Sequence, residues 1–215
     1  MAPTDWMEEH VGAQAEHDIE GLSSAAICDA MATRFDHRAD VLDLVTPTPG
    51  EVLFGQAATI RFFPNRRDHH SADDRFEQLL TAVAGSGHVL VLGAGGHPDQ
   101  ALAGGKKVAR IEAAGFAGVL TDGRLRDLEQ IAEFELVAYC GGETVRAAGD
   151  DVTPLAANVP VEIDGVGVLP GDWIFADAAG AVVIPSGAVA GILADAHLIE
   201  EKDAAAVIAA RLRLK

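Results

Sequence analysis

Residues Asp122-Gly123-Arg124-Leu125-Arg126-Asp127 follow the apolar run FAGVLT and combine a tight D-G turn with an adjacent arginine and aspartate. An arginine clamps a carboxylate with two parallel N–H donors. A neighbouring aspartate suits a hard divalent ion, because Mg²⁺ commonly keeps several waters with only one or two protein carboxylates. A purely local reading also stands, in which Asp122 and Asp127 favour a helix N-terminus and Arg126 pairs with either. Earlier in the chain, Gly104-Gly105-Lys106-Lys107 precedes a helical stretch, where free backbone N–H groups and the helix dipole make an anion site. A solvated lysine pair beside a helix break is the plainer alternative. The formal net charge is −17, and two of the four lysines stand here. A small anion approaching so acidic a chain needs such a local positive site.

Other constellations carry less. The glycines at Gly93–Gly96 fail as a dinucleotide fingerprint: Pro98 stands where a third small residue is needed, and no acid ends a following strand at about 20 residues. They read instead as a strand-end turn lining a pocket, with His97 and Asp99 beside it. Asp68-His69-His70, with Asp73 and Asp74, offers metal-ligand types. Consecutive loop residues rarely all face one ion, so a solvated loop is the plainer reading.

The elements that must position these residues follow from periodicity. Residues 1–20 are polar and read as an N-terminal helical arm; residues 21–215 read as a single domain. GLSSAAICDAMATRF carries a serine N-cap signal and apolar Ile27, Met31 and Phe35 in helical register. VLFGQAATIRFF is β-rich, with Gly55 marking a bulge or a close backbone approach. A helix follows (RFEQLLTAVAGSG). Strands HVLVLG, FAGVLTD and ELVAYCG then alternate with helical segments. PDQALAGGKKVARIEAAG among these is expected to hold one or two short helices. Continuous apolar strands between helices imply parallel βαβ units with ligand loops at the strand C-termini. Beyond Gly149, D-G, P-G-D and A-A-G turns between short β runs read as antiparallel hairpins. A long helix, about 186–214, ends the chain. The class is α/β with mixed sheets.

Composition excludes several functions. With 49% hydrophobic and 23% charged residues the chain is not disordered. Its 33 acids against 16 bases offer no basic stripe for nucleic acid. The longest uncharged run, residues 178–194, is broken at Pro185-Ser186 and is no membrane span, and the acidic N-terminus has no signal-peptide core. A cytoplasmic location is expected. Cys28 and Cys140 are too few for a disulfide framework, and Cys28 is expected to be a buried structural thiol.

Five segments, in order, carry a resemblance: LSSAAICDAM (22–31), GQAATI (55–60), HVLVLGAGG (88–96), GFAGVLTDGRLRD (115–127) and PVEIDGVGVLPGDWIFADAAGAVVIP (160–185). Together they resemble the family of the regulator of ribonuclease activity A and the 4-hydroxy-4-methyl-2-oxoglutarate aldolases. The resemblance implies a swivelling β/β/α domain assembled as a trimer or a pair of trimers, with the active site between subunits. It implies that Arg126 binds a 2-oxo acid and stabilises enolate charge, that Asp127 holds Mg²⁺ or Mn²⁺, and that amides at Gly104-Gly105-Lys106-Lys107 take the substrate carboxylate. This chain departs from the family there. The family's proton-handling acidic residue falls on Gly105, and lysines replace two leucines.

The resulting expectation is a divalent-metal-dependent lyase acting on small 2-oxo acids, as a 4-hydroxy-2-oxo acid aldolase, an oxaloacetate decarboxylase, or both. Decarboxylation needs no base on a 4-hydroxyl, so it suffers less from the loss at Gly105. Lys106 or Lys107 is a candidate reader of a second anionic group, and Glu200 or Glu201 of a neighbouring subunit a candidate replacement acid. The rival is a non-catalytic ring-shaped protein that binds and restrains another protein. Methyl transfer is set aside, because no S-adenosylmethionine-binding glycine loop with a strand-end acid is present.

Overall fold

The computed structural model describes residues 17–65 and 72–213. Asp68-His69-His70 and most of the expected N-terminal arm lie outside them. Helix α1 (Ser24–Arg34) starts at Ser23, whose Oγ accepts from the Ala26 N–H at 3.2 Å. Strand β1 (Asp40–Val41) leads to the 12-residue β2 (Leu53–Pro64), then α2 (Ala72–Val83) and β3 (Val89–Gly93). Next come β4 (Ala101–Ala103), α3 (Gly105–Ala113), β5 (Gly118–Thr121), β6 (Arg124–Leu125), α4 (Leu128–Ile131) and β7 (Val137–Cys140). The last part holds β8 (Val152–Ala157), β9 (Val161–Ile163), β10 (Val166–Val168), β11 (Trp173–Asp177), β12 (Gly180–Ile184) and α5 (Val189–Arg213).

β2 organises the main sheet, whose order is β1-β12-β11-β2-β3-β5-β7 with β8 also on β2. Leu53–Gln56 pair antiparallel with β11, Ala57–Arg61 parallel with β3, and Ile60–Pro64 antiparallel with β8. β2, β3, β5 and β7 are the parallel βαβ series expected from the apolar runs. β9–β10 and β11–β12 are the expected hairpins. The D-G turn of the first has both residues at positive φ, 48° and 80°, which suits the strand twist. At Gly55 the reason for glycine is close approach, since a Cβ there would lie 2.5 Å from the Gly87 carbonyl oxygen. The bulge in β2 falls at Arg61/Phe62 instead.

Two elements near the chemistry differ from the sequence reading. Ala101-Leu102-Ala103, expected to be helical, is a buried strand paired in parallel with Arg124–Leu125. The D-G-x-x-R-D stretch therefore passes through a short strand before its helix. All three residues of β4 are buried, and burial among the core side chains outweighs alanine's helix preference. Helix α3 covers this layer with Val108 and Ile111, both fully buried. Truncating Ile111 to alanine would cost about 2–5 kcal/mol.

A second cluster anchors the chain ends. Val189, Ile192, Leu193 and Ala196 of α5 pack with Ile27, Ala30 and Met31 of α1. Glu200 Oε1 accepts from the Ser23 N–H and Oγ at 3.1 and 2.5 Å, and Asp177 accepts from the Ser24 N–H and Oγ at 2.8 and 2.7 Å. Residues 201–213 of α5 are exposed. Cys28 is only half-buried; burial, helped by Asp40 and Asp29, raises its thiol pKa. Among the described residues no helix is long and apolar enough to cross a membrane.

Candidate active site

The head of α3 and the Arg126-Asp127 pair meet because two short strands end side by side. The Arg126 N–H donates to the Ala103 carbonyl at 3.0 Å, which ties the pair to the end of β4. Gly104 then caps α3 in an extended conformation. A Cβ on Gly104 would stand 3.0 Å from Asp127 Oδ2 and 3.2 Å from Arg126 Cβ, so its hydrogen admits the close approach. Asp127 holds φ 64° and ψ 43°, a left-handed conformation that aspartate tolerates better than most residues. It stands at the N-cap of α4 but does not cap it with its side chain. Its Oδ2 accepts instead from the Gly105 N–H across the gap at 3.2 Å. The α4 cap is supplied by Glu143, whose Oε1 accepts from the Leu128 N–H at 3.1 Å.

Glu143 reaches that position through backbone pairing. The Leu125 N–H donates to the Gly142 carbonyl at 3.0 Å, and the Thr144 N–H to the Leu125 carbonyl at 3.1 Å. The segment after β7 thus runs parallel to β6 at one isolated bridge, Leu125 to Glu143.

Arg126 and Asp127 separate two cavities. One, about 280 Å³, runs beneath α3 and is lined by Gly104, Lys106, Lys107, Arg110 and the Arg126-Asp127 pair, over an apolar wall that includes Phe62, Val152 and Pro154. The other, about 410 Å³, is lined by the pair with Glu143, Thr144 and Val145. Val145, at its rim, is 96% exposed. The first cavity gathers four cationic side chains against one carboxylate in a chain of net charge −17.

The four cations are not equivalent. Lys107 Nζ donates to the Leu102 carbonyl at 3.1 Å and lies 4.8 Å from the Phe76 ring centroid, so its ammonium is tucked against the inner wall. Lys106 is exposed, and Arg110, one helical turn on, shares its face and pairs with Glu77 at 3.5 Å. Of the first-turn amides, Gly105 donates to Asp127, while Lys107 and Val108 donate to the Gly104 carbonyl. The Lys106 N–H is left without a protein acceptor among the described residues. Gly105 is buried, and a Cβ on it would stand 2.0 Å from Gln130 Oε1. The Gln130 carboxamide therefore fills the space a side chain at 105 would enter.

The local alternative for the D-G-x-x-R-D stretch holds in part: Asp127 stands at the head of α4 and accepts from the first amide of α3, but Arg126 and Asp122 depart from it. Among the described residues Arg126 forms no ion pair. Asp122 faces the opposite way: its carboxylate accepts from the Ala94 N–H at 2.8 Å and the Asp164 N–H at 3.5 Å, and burial raises its pKa. It stitches the end of β3 to the β9–β10 hairpin. There it borders a separate cavity of about 720 Å³, whose wall includes Gly93, Gly95 and Gly96. Asp99 pairs with Arg124 at 3.5 Å, outside both cavities of the Arg126-Asp127 pair. Glu200 is engaged with Ser23 of its own chain.

Arg110, Gln130 and Glu143 escaped the sequence reading. The i, i+4 spacing from Lys106 was a usable signal for Arg110, and the D-x-x-Q spacing from Asp127 for Gln130. Glu143 had no local signal, since its place depends on the pairing beside β6.

This α/β fold, with an Arg-Asp pair facing a glycine-headed helix, defines a class that the comparisons identify. The family profile described as Aldolase/RraA, RraA-like, matches residues 24–183, and the chain belongs to that family. A putative 4-hydroxy-4-methyl-2-oxoglutarate aldolase of Burkholderia mallei is 34% identical over 134 residues, 60% of this chain and 73% of the relative. Among solved structures, Streptomyces coelicolor RraAS2, described as an unusual member of the RNase ES inhibitor RraA protein family, is 31% identical with a TM-score of 0.78. That match covers 87% of this chain and 93% of that one. The RNA-processing inhibitor RraA from Thermus thermophilis shares the fold at 24% identity and a TM-score of 0.56, over 73% of this chain and 90% of that one.

Proposed function

We propose that the protein is a divalent-metal-dependent lyase of small 2-oxo acids, releasing pyruvate from 4-hydroxy-2-oxo acids, from oxaloacetate, or from both. The observation that carries this reading is Arg126, without an ion pair among the described residues, beside Asp127, both at the head of α3 and both lining a cation-rich cavity. The aldolase name of the Burkholderia relative supports the lyase class.

The donor set fits a hard ion. Among the described residues no three His, Cys, Asp or Glu side chains gather into a cage. Asp127 offers one carboxylate, already oriented by Gly105. One protein carboxylate with solvent and substrate oxygens is a Mg²⁺ or Mn²⁺ arrangement. Held there, the ion would supply Lewis-acid polarisation of the 2-oxo group.

The chain's own residues do the rest. The substrate 1-carboxylate takes the Lys106 N–H and the positive end of the α3 dipole. As the C3–C4 bond breaks, its electron pair forms the C2–C3 double bond and the carbonyl pair moves onto the C2 oxygen, which gives the pyruvate enolate. The Arg126 guanidinium offsets that charge. Lys106 and Arg110 face a further anionic group of the substrate. A trimer or pair of trimers with the site between subunits belongs to the same reading. The nearly bare Val145 at the rim supports it, as does the exposed outer half of α5.

The test is pyruvate release from oxaloacetate and from 4-hydroxy-2-oxo acids, with and without Mg²⁺ or Mn²⁺. Release that EDTA abolishes, and that Asp127→Ala lowers by two orders of magnitude or more, is expected. Release indifferent to both treatments overturns the reading. The kinship with an RNase ES inhibitor family favours a second reading, a protein-binding regulator. Its mark is partner binding that survives replacement of both Arg126 and Asp127 by alanine.

A further inference from the structure

Cleavage of a 4-hydroxy-2-oxo acid needs a group that removes the 4-hydroxyl proton, and position 105, a glycine, has none to give. Two carboxylates that could be considered in its place are engaged elsewhere in the chain. Asp122 is turned toward Ala94 and Asp164, and Glu200 holds Ser23. Among the described residues, the carboxylates lining the two cavities at the Arg126-Asp127 pair are Asp127 and Glu143. We infer that Glu143 is the general base of carbon–carbon cleavage in this protein, an assignment that rests on the 2-oxo acid lyase reading.

Three observations carry it. Glu143 lines the 410 Å³ cavity on the other side of the Arg126-Asp127 pair from α3, so the part of a substrate that extends past the pair, away from the Lys106 N–H, enters the chamber that holds this carboxylate. Its backbone is fixed in register by hydrogen bonds on either side, Leu125 to Gly142 and Thr144 to Leu125. One carboxylate oxygen is anchored on the Leu128 N–H at 3.1 Å, which orients the group and leaves Oε2 to exchange a proton. Asp127 cannot serve both as ion ligand and as base; Glu143 divides the labour.

The step balances. Glu143 takes the 4-hydroxyl proton, the O–H electron pair forms the C4 carbonyl, the C3–C4 pair becomes the C2–C3 double bond, and the C2 carbonyl pair moves onto the C2 oxygen. The enolate then collapses with protonation at C3 by the Glu143 acid, which regenerates the carboxylate. The products are pyruvate and an oxo compound. In oxaloacetate decarboxylation no hydroxyl proton has to leave. Glu143 then has only the C3 protonation to assist, and solvent can replace it there.

The experiment compares wild type, Glu143→Gln and Glu143→Asp on a 4-hydroxy-2-oxo acid and on oxaloacetate, with Mn²⁺ or Mg²⁺ present. Glutamine keeps an oxygen for the Leu128 N–H, so the α4 cap survives, and thermal melting checks this. General bases contribute on the order of 10²–10⁴-fold. The expected result is that Glu143→Gln lowers kcat on the hydroxy acid about a hundredfold more than on oxaloacetate, with Glu143→Asp intermediate. An equal loss on both substrates assigns Glu143 a structural role and overturns the proposal. So does a wild type that cleaves oxaloacetate alone. A wild type releasing pyruvate from neither substrate instead removes the lyase reading itself, and this assignment with it.

Discussion

Asp127 Oδ2 and the Gly105 N–H are joined at 3.2 Å, although Gly105 opens α3 and Asp127 stands at the N-cap of α4. An aspartate at an N-cap normally turns its oxygen onto its own helix. Here Glu143 takes over that cap, and the Asp127 carboxylate is released to span the gap to α3. The gap can be this narrow only because Gly104 has no side chain. Gly104→Ala is allowed by its extended backbone, but the new methyl would press on Asp127 Oδ2 and Arg126 Cβ at 3.0 and 3.2 Å. A displacement well under 1 Å in such a constellation costs on the order of 10–100-fold in rate. The expected outcome is that loss in kcat, with a melting temperature within a few degrees of wild type.

Gly105 and Gln130 should behave as one unit. A methyl at 105 meets the far end of the Gln130 side chain, at 2.0 Å from Oε1 and 2.7 Å from Cδ. Alone, Gly105→Ala must displace the carboxamide. In a Gln130→Ala background the space is open, and alanine's helix preference, up to about 1 kcal/mol over glycine, is gained. Urea unfolding of the four proteins in a double-mutant cycle should show a coupling of at least about 0.5 kcal/mol. Strict additivity would mean that the carboxamide does not occupy this space.

The Ser24–Asp177 contact makes an acid-side prediction. Burial works to raise the Asp177 pKa, but hydrogen bonds from the Ser24 hydroxyl and N–H, and from the Ala179 and Gly180 amides, outweigh it and hold the carboxyl below its ordinary value. A depressed folded pKa favours the folded state once the group is ionised in both states. That stabilisation is complete above the unfolded value, about 3.9, and is lost as pH falls through the lower folded value. Ser24→Ala should therefore destabilise by about 1–3 kcal/mol near pH 7. The difference from wild type should shrink below about pH 4. A constant difference down to pH 2 would contradict it.

The sequence-level expectations held where one element decides the outcome. Ser23 caps α1, the apolar runs of β3, β5 and β7 are parallel, and the D-G turn at Asp164-Gly165 closes a hairpin. They weakened where tertiary pairing decides. Ala101–Ala103 has the composition of a helix and is a strand because Arg124–Leu125 lies beside it. Glu143 is one acid among 33, and only the bridge between its segment and Leu125 brings it to the site. Lys107 lines the same cavity as Arg126 and Asp127, with its ammonium over Phe76, while Lys106 and Arg110 share the outer face of α3, a division that the GGKK motif does not display.

That outer face yields the last prediction. Lys106 and Arg110 stand one turn apart on α3 and line the same cavity as Arg126, while the protein as a whole repels anions. If this pair reads a second carboxylate, Arg110→Ala should raise KM for a dicarboxylic 2-oxo acid about 10–100-fold, the worth of one charge-assisted hydrogen bond. A 2-oxo acid without the distal carboxylate should lose far less. Arg110→Lys should recover part of the affinity, because charge is kept while the planar fork is lost. The Glu77 partner supplies an internal check. Glu77→Gln removes the competing negative charge 3.5 Å from Arg110 and should lower KM for the dicarboxylic substrate slightly, by less than about threefold, since exposed pairs contribute little. Equal KM changes for mono- and dicarboxylic substrates in Arg110→Ala would show that the guanidinium supports α3 rather than reading the substrate.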